Sequence, residues 1–237
     1  MAYQFYDCTV TNIIDETSDV KRFFFEAPAD VDFNFRAGQF VMLNMPLDAK
    51  IKHRSYSIAS PPVGDNKFEL VIVLNPKGLG TPWMWENLKP GSIIPSSKPI
   101  GKFGLPQNLD SDLCFICTGV GIAPFRSMLF DIISKNVPHK NIYMAFGTRY
   151  EKDILYRKEM EDVTAQHPEF KFIPTLSREQ NWSGRKGYVH QIYEELFSDK
   201  HSGYFYLCGW NEMLNEARKR LAEMGYDKKV IKFESYD

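Results

Sequence analysis

Residues 113–134 read LCFICTGVGIAPFRSMLFDIIS, and this stretch decides the fold of the C-terminal half. An apolar strand-like run leads into a glycine-rich turn at 118–124, and a helix-like segment follows directly. Such a turn lets a phosphate group approach bare backbone at a helix N-terminus. The stretch predicts a nucleotide-binding turn, with a plain structural turn as the alternative. The predicted ligand contacts are Thr118, Gly119, Gly121 and Pro124.

The same rhythm of apolar strand, turn and helix-length segment recurs down the chain. The further strand-like runs are NIYMAFG at 141–147, FKFIPTLS at 170–177 and GYFYLCG at 203–209. This alternation predicts a parallel sheet flanked by helices. We assign it to a domain covering residues 108–237.

The N-terminal half has a different pattern. Its β-type runs are FYDCTVTNI, VKRFFFEA, QFVMLNM, RSYSIAS and FELVIVL, separated by Gly, Pro, Asn and Asp at hairpin-like intervals. Short strands at such spacing predict an antiparallel barrel, here residues 1–107. The predicted fold class is therefore an N-terminal antiparallel β-barrel followed by a C-terminal α/β domain with a parallel sheet.

Composition excludes several classes of function. The 29 basic and 30 acidic side chains nearly cancel, so no global field favours nucleic acid or an anionic membrane. No apolar run is long enough to span a bilayer, and no signal peptide is evident, so we expect a cytoplasmic protein. The four cysteines are expected to be free thiols, and no metal site is predicted.

The tetrapeptide Arg54-Ser55-Tyr56-Ser57 lies on a predicted strand. It offers a guanidinium for a pyrophosphate, an aromatic ring for isoalloxazine and a hydroxyl near flavin N5. An ordinary strand with an exposed arginine is the alternative.

Farther on, Gly78, Gly80 and Thr81 precede a helix-like segment, and we expect Thr81 to be the N-cap with Pro82 at the first helical position. Free N–H groups at such a helix start suit a phosphate.

Two later segments are expected at the nucleotide site. Ser177 and Arg178 follow one predicted strand, and Lys186 and Tyr188 come a short loop later, which suits a 2′-phosphate and an adenine and favours NADPH over NADH. Solvated surface cations are the alternative. Cys208 and Gly209 end another strand, at the edge where ligands bind in parallel sheets.

Taken in order, these motifs resemble the ferredoxin–NADP reductase family from Gln39 to Tyr236. RSYSIAS resembles its flavin strand, TGVGIAPFRS its NADP turn, SREQ with K-x-Y its 2′-phosphate site, and CGWNEM its C-G-x-x-x-M element. The closing FESYD resembles a Glu-x-aromatic ending. The sequence departs from the plant-type pattern in two places. Asp237 extends one residue past the plant-type ending, and the loop before Lys186 is one residue shorter than the plant-type spacing. A tryptophan in this loop, here Trp182, resembles bacterial NADH-using reductases.

The resemblance implies FAD and NADPH as cofactors and a catalytic set of Ser57, Cys208 and Glu234. Tyr236 is expected to cover the isoalloxazine face until nicotinamide displaces it. Cys208 is expected to pack against the nicotinamide C4. The further cofactor-binding positions that the resemblance implies are Val71, Val73 and Met213.

The implied activity is hydride transfer from NADPH to FAD, with electrons passed singly to a separate ferredoxin, a similar iron–sulfur protein or a flavodoxin. The chain lacks the cysteine spacing of a plant-type cluster of its own. A monomer is expected. An NAD(P)H:flavin or quinone reductase is the nearest alternative, and a non-catalytic flavin- and nucleotide-binding subunit is a second one. The expected landing patch for an acidic acceptor is Lys50, Lys52, His53, Arg54, Lys98 and Lys102, with ordinary surface lysines as the alternative.

Overall fold

A computed structural model describes residues 3–48 and 52–236, which form two compact units. The first unit is the described part of residues 1–105 together with Ala123–Lys135. The second is Pro106–Ile122 and the described part of residues 136–237. The first border lies close to the predicted end at residue 107. Unlike the predicted domains, however, the units are discontinuous, because the helix after the glycine turn groups with the N-terminal strands.

The first unit is a six-stranded antiparallel sheet in the order β4-β3-β6-β1-β2-β5. An isolated bridge between Ile58 and Leu70 joins the two ends of this order, and the Ala59 amide donates to the Glu69 carbonyl at 2.8 Å. The predicted antiparallel barrel is therefore confirmed. Its strands are β1 Phe5–Asp15, β2 Val20–Glu26, β3 Phe40–Asn44, β4 His53–Ser57, β5 Lys67–Val73 and β6 Ile93–Ser97.

Apolar side chains that alternate along these strands fill the barrel. Phe23 and Phe25 of β2 are both fully buried, whereas the intervening Phe24 is not, as the period of two in a strand requires. Phe25 and Phe68 stack with ring centroids 5.0 Å apart, and Phe33 stacks on Phe68 at 4.9 Å. This aromatic cluster packs β2 and β5 together inside the barrel.

The second unit contains a six-stranded parallel sheet in the order β10-β9-β8-β7-β11-β12. The prediction of a parallel sheet is confirmed. The chain runs outward from β7 in one direction and then returns to continue from β7 in the other. This reversal places a topological switch point between β7 and β11, where ligands bind in such sheets. The strands are β7 Asp112–Thr118, β8 Ile142–Thr148, β9 Phe170–Leu176, β10 Arg185–Lys186, β11 Gly203–Gly209 and β12 Ile231–Ser235.

Five α-helices complete the described part of the chain. They are α1 Gly80–Asn87, α2 Ala123–Ser134, α3 Arg157–Gln166, α4 His190–Leu196 and α5 Asn211–Glu223. The residues between β7 and α2, Gly119–Ile122, form a 3₁₀ turn. None of the described helices has both the length and the apolar character needed to cross a membrane.

Candidate active site

The flavin motif lies on β4, which pairs with β3 so that Tyr56 is opposite Val41 and Ser57 is opposite Phe40. Ser57 is only 5% exposed, whereas Ser55 is exposed. Tyr56 is half-buried and packs against the barrel core, and burial raises the pKa of its hydroxyl to about 12, while the Arg54 charge lowers it. The strand therefore presents one exposed and one buried hydroxyl to a ligand.

Arg54 lies beside the start of α1. A Cβ atom at Gly80 would stand 3.4 Å from the Arg54 Cγ and 3.2 Å from the Met45 Cε. The Arg54 Nη1 also donates to the His53 carbonyl at 2.9 Å. The structure thus brings two predicted flavin contacts, Arg54 and Gly80, together at one helix start.

The predicted N-cap role of Thr81 is wrong. Helix α1 begins at Gly80 with Leu79 in the capping position, and no side chain caps it. The Thr81 hydroxyl instead accepts from the Asn75 amide at 2.8 Å, because the turn before the helix folds back onto it. Pro82 accordingly lies at the third helical position rather than the first.

Three other predicted flavin positions are placed around this turn and on β5. The Gly78 amide donates to the Asn75 carbonyl at 2.9 Å, so Gly78 belongs to the same turn as Thr81. On β5, Val71 is buried and Val73 is exposed. Of the two valines, Val73 is therefore the one with substantial accessible surface.

The donor set of the first unit fits FAD. The unit combines the Arg54 guanidinium, the exposed Ser55 hydroxyl and the N–H groups of a helix start, which lack acceptors within their own helix. Gly80 packs closely against Met45 and Arg54, so a side chain there would require these neighbours to shift. A dinucleotide pyrophosphate needs this combination of cation and bare backbone.

The two glycines of the nucleotide turn have different structural roles. Gly119 has a φ of +52°, and a Cβ there would meet nothing within 4 Å, so the turn is open at this point. Gly121 is the reverse, since a Cβ would lie 2.3 Å from the Cys208 carbonyl oxygen. Gly121 thus permits close packing of the turn against the end of β11, whereas Gly119 supplies the conformation and the space.

Thr118 and Gly209 meet at the switch point. A Cβ at Gly209, which has a φ of +142°, would lie 2.3 Å from the Thr118 Oγ1. That hydroxyl also accepts from the Trp210 amide at 3.5 Å. Met213 is buried, and its Cε would lie 3.2 Å from a Cβ at Gly209. Pro124 is the second residue of α2 and belongs to the first unit.

Cys208 and Glu234 are direct partners on the neighbouring strands β11 and β12. Burial raises the pKa of the Cys208 thiol well above its ordinary range, and the Glu234 carboxylate raises it further, while a hydrogen bond from Tyr236 acts in the opposite direction. The Tyr236 amide donates to the Gly209 carbonyl at 3.2 Å. Three predicted residues are thus adjacent, and the thiol is neutral.

Cys208 has no exposed surface, so the predicted packing against nicotinamide requires a local movement. Tyr236 is half-buried. A second hydrogen bond, from the Ser235 hydroxyl to the Asn211 Oδ1 at 2.8 Å, ties the C-terminal segment to α5. The third predicted catalytic residue, Ser57, belongs to the first unit.

The predicted 2′-phosphate residues follow β9. The Ser177 amide donates to the Thr148 carbonyl at 3.0 Å, and the Lys186 Nζ donates to the Gln180 carbonyl at 2.8 Å, which closes the loop 177–186. Arg178 and Lys186 are exposed, and Tyr188 is 70% exposed. Within the described residues, Arg178 makes no side-chain ion pair.

Sequence reasoning missed a further cation, Arg149. The Arg178 amide donates to the Arg149 carbonyl at 3.0 Å, so the two arginines lie side by side where β8 and β9 end. Arg149 is exposed and, among the described residues, has no acidic partner. The signal was available, because Arg149 directly follows a strand that neighbours the one before Arg178 in a parallel sheet.

Trp182 packs onto α3. The Arg157 guanidinium lies 5.5 Å from the indole centroid and pairs with Glu151 at 2.6 Å and Glu161 at 2.9 Å. The indole Nε1 is buried and finds no acceptor in the part of the chain that the structure describes. Arg157 is therefore committed to two carboxylates, unlike Arg149 and Arg178.

Several residues of the predicted acceptor patch are accessible in the first unit. The His53 ring lies 5.7 Å from the Tyr3 ring, and the Lys98 Nζ lies 5.6 Å from the centroid of Tyr6. Lys52, Lys98 and Lys102 are exposed. Lys50 lies outside the described residues.

Comparison with known proteins matches both halves of the chain. Residues 7–104 match the family described as oxidoreductase FAD-binding domain, and residues 115–219 match oxidoreductase NAD-binding domain. The chain is 33% identical over 226 residues to ferredoxin–NADP reductase B of Sorangium cellulosum, which covers 92% of each protein.

Two further proteins are similar to this chain. A glycine betaine monooxygenase reductase subunit of Pseudomonas aeruginosa is 31% identical over 221 residues, and the chain spans 60% of its length. A solved ferredoxin NADP⁺ reductase from Neisseria gonorrhoeae with bound FAD and NADP superposes with a TM-score of 0.83 at 22% identity, covering 99% of both chains. The latter likeness supports the fold.

Proposed function

We propose, from the premise that this chain belongs to the ferredoxin–NADP reductase family, that it moves electrons from NADPH through FAD to a separate iron–sulfur protein. Membership makes the chain an oxidoreductase of the ferredoxin reductase type that binds FAD and NAD(P). The proposal adds the preference for NADPH, the roles of individual residues and the one-electron acceptor.

The first unit would hold FAD through the Arg54 guanidinium, the Ser55 hydroxyl and the start of α1. Tyr56 would stack its aromatic ring on the isoalloxazine, and the buried Ser57 hydroxyl would hydrogen-bond near flavin N5. FAD, when bound, accepts a hydride from reduced nicotinamide and releases electrons singly.

Residues of the second unit would orient the nicotinamide and control protons. The open backbone at Gly119 and the packed Gly121 suit a pyrophosphate. The neutral, buried Cys208 provides a small apolar surface rather than a nucleophile. Glu234 opposite Cys208 is the group available to hold or release a proton. Tyr236 would give way when nicotinamide enters.

The observation that carries the choice of NADPH is a pair of arginines at one sheet edge that have no acidic partner among the described residues. Arg149 and Arg178 are adjacent through a backbone hydrogen bond, and both guanidinium groups are exposed. Lys186 adds a third charge on the same loop. Guanidinium groups bind phosphate through paired hydrogen bonds, so this set favours the 2′-phosphate of NADPH over the ribose hydroxyl of NADH.

The acceptor is proposed to be an acidic ferredoxin or a similar iron–sulfur protein. A flavodoxin is the alternative acceptor. The exposed lysines around His53 and Lys98 support it, since complementary charge speeds encounter between electron-transfer partners. A monomer in a reducing, cytoplasmic compartment is part of the same proposal. The four free cysteines of the described residues support the reducing compartment.

The test is anaerobic turnover of the FAD-loaded protein with NADPH and either an oxidised [2Fe–2S] ferredoxin or free FMN. We expect ferredoxin to be reduced faster than FMN. Electron paramagnetic resonance should count one electron delivered per cluster. Faster reduction of FMN or of a quinone would favour the flavin or quinone reductase. Bound flavin without turnover of any acceptor would favour a non-catalytic subunit.

A further inference from the structure

Helix α2 carries an arginine that is buried within the first unit. Arg126 is only 7% exposed. Its Nη1 donates to the Ala59 carbonyl at 2.8 Å and lies 3.2 Å from the Glu69 Oε2. The guanidinium also lies over the Phe130 ring, 5.1 Å from the centroid. A charge so enclosed calls for an explanation.

Glu69 joins the buried Arg126 and the half-buried Arg22 in a triad of alternating charges. It is 3% exposed and accepts from Arg22 at two oxygens, with 2.6 Å from Nε to Oε1 and 3.2 Å from Nη2 to Oε2. Two arginines thus share one carboxylate inside the barrel wall. Buried ion groups of this kind add little net stability compared with apolar residues of similar size, because desolvation offsets the attraction.

The neighbouring residue on α2 makes a parallel contact. The Ser127 hydroxyl donates to the Ser60 carbonyl at 2.7 Å, and the Ser60 hydroxyl accepts from the Glu69 amide at 3.0 Å. Consecutive residues of the helix therefore hold consecutive carbonyls of the segment that continues β4. Ala59 and Ser60 follow the buried Ser57 by two and three positions in the chain.

The helix also packs against the barrel through contacts that are not polar. A Cβ at Gly38 would meet the Met128 Cε at 2.5 Å and the Phe103 carbonyl oxygen at 1.8 Å, so α2 packs closely there. The rings of Phe103 and Phe125 add an apolar contact with centroids 6.0 Å apart. The triad and Ser127 thus add directional hydrogen bonds to this packing.

We propose that Arg126, Ser127 and Glu69 act as positioning residues that fix the flavin strand relative to the start of α2. The strand end carries Tyr56 and Ser57, and the helix start carries Pro124, a predicted nucleotide contact two residues before Arg126. Hydride transfer needs reacting atoms held at about 3–3.5 Å, and small displacements reduce its rate strongly. This inference rests on the proposed function for the hydride step.

The test compares Ser127→Ala, Arg126→Gln and Arg126→Lys with the control Lys135→Gln. Lys135 pairs with Asp131 at 2.6 Å near the end of the same helix, so its loss removes an ion pair remote from β4. Each FAD-loaded protein is mixed anaerobically with whichever nicotinamide nucleotide reduces the wild type. The limiting rate of flavin bleaching, the dissociation constant for FAD and the visible circular dichroism of the oxidised flavin are measured.

We expect Ser127→Ala to lower the limiting rate about threefold to tenfold and Arg126→Gln about tenfold to a hundredfold. Arg126→Lys should recover part of the loss, because its ammonium can still reach one acceptor. The flavin dichroism should shift in step with the rate, whereas Lys135→Gln leaves both unchanged. Failure of the wild type to bleach would instead contradict the proposed function.

Wild-type rates and dichroism in Ser127→Ala and Arg126→Gln would overturn the positioning role, even if their melting temperatures fell. The same conclusion would follow if Arg126→Gln released FAD while Ser127→Ala behaved as the wild type. In that case the arginine would serve stability alone, because a clamp requires both contacts.

Discussion

The two units of this protein hold their polar residues differently. In the first unit, Ser57 and the proposed positioning residues Glu69 and Arg126 are buried, although the proposed flavin contact Ser55 is exposed. In the second, Arg149 and Arg178 are exposed at a sheet edge. A ligand met by buried, fixed groups exchanges slowly, whereas one met by exposed side chains binds and leaves readily. The contrast supports the proposal of a resident flavin and an exchangeable nucleotide.

The largest effect is expected from Gly121→Ala, which attacks the packed part of the nucleotide turn. The new Cβ would overlap the Cys208 carbonyl oxygen at 2.3 Å, so either the turn or β11 must move. We expect a loss of about 1–3 kcal/mol in the free energy of unfolding and at least a hundredfold weaker nucleotide binding, with FAD retained. Thermal melting and nucleotide titration measure the two effects.

Gly104→Ala provides the matched control, because a Cβ there would meet nothing within 4 Å. It should leave nucleotide affinity and stability near those of the wild type. Equal damage from both substitutions, or loss of FAD with Gly121→Ala, would break the division between the two sides.

The exposed cations set the next prediction. Arg149→Ser and Arg178→Ser should each raise KM for NADPH about tenfold to a hundredfold, since a hydrogen bond to a charged group contributes about 1.5–3 kcal/mol. KM for NADH should change little. Lys158→Ser, which removes an exposed partner of Asp162 on α3, is the control. A parallel loss with NADH would assign the arginines to structure rather than to the 2′-phosphate.

The buried thiol gives a prediction of pH dependence. Because burial raises the pKa of Cys208 well above its ordinary range, the thiol stays protonated as pH rises through about 7 to 9. Flavin reduction should therefore show no ionisation from this group. Cys208→Ser should slow reduction by a few-fold and leave the shape of the profile unchanged. A step in the pH profile near the ordinary thiol pKa that is lost in Cys208→Ser would contradict a thiol that stays protonated.

The smallest effect concerns the acceptor. Turnover with an acidic ferredoxin should fall as ionic strength rises beyond about 0.15 M, where the screening length is about 8 Å. Lys98→Gln should reduce turnover about twofold to threefold at low salt and should flatten the salt dependence. Flavin reduction by NADPH alone should not change. Salt-independent turnover would remove the basic patch from the proposal.

Local pattern was sufficient for the fold. The change from hairpin-spaced β runs to strand–turn–helix repeats predicted both sheets, because apolar periodicity reports burial directly. The glycine turn was placed correctly after β7. The grouping of α2 with the barrel was beyond the sequence, since it depends on contacts between Arg126 and carbonyls far along the chain.

The site was predictable in part for the same reason. Cys208 and Glu234 came together because they lie on strands whose register is regular. Thr81 was misassigned because its hydroxyl has two possible uses, and the preceding turn takes it. Arg149 was missed because its neighbour in space is 29 residues away on the next strand.

The most direct measurement follows the visible absorbance of the bound flavin after anaerobic mixing with NADPH and, separately, with NADH. We predict rapid bleaching by NADPH, much slower bleaching by NADH at equal concentration, and flavin that remains bound throughout. Equal bleaching by the two nucleotides would contradict the role of Arg149 and Arg178. No bleaching by either would contradict the assignment of a resident flavin reduced by an exchangeable nucleotide.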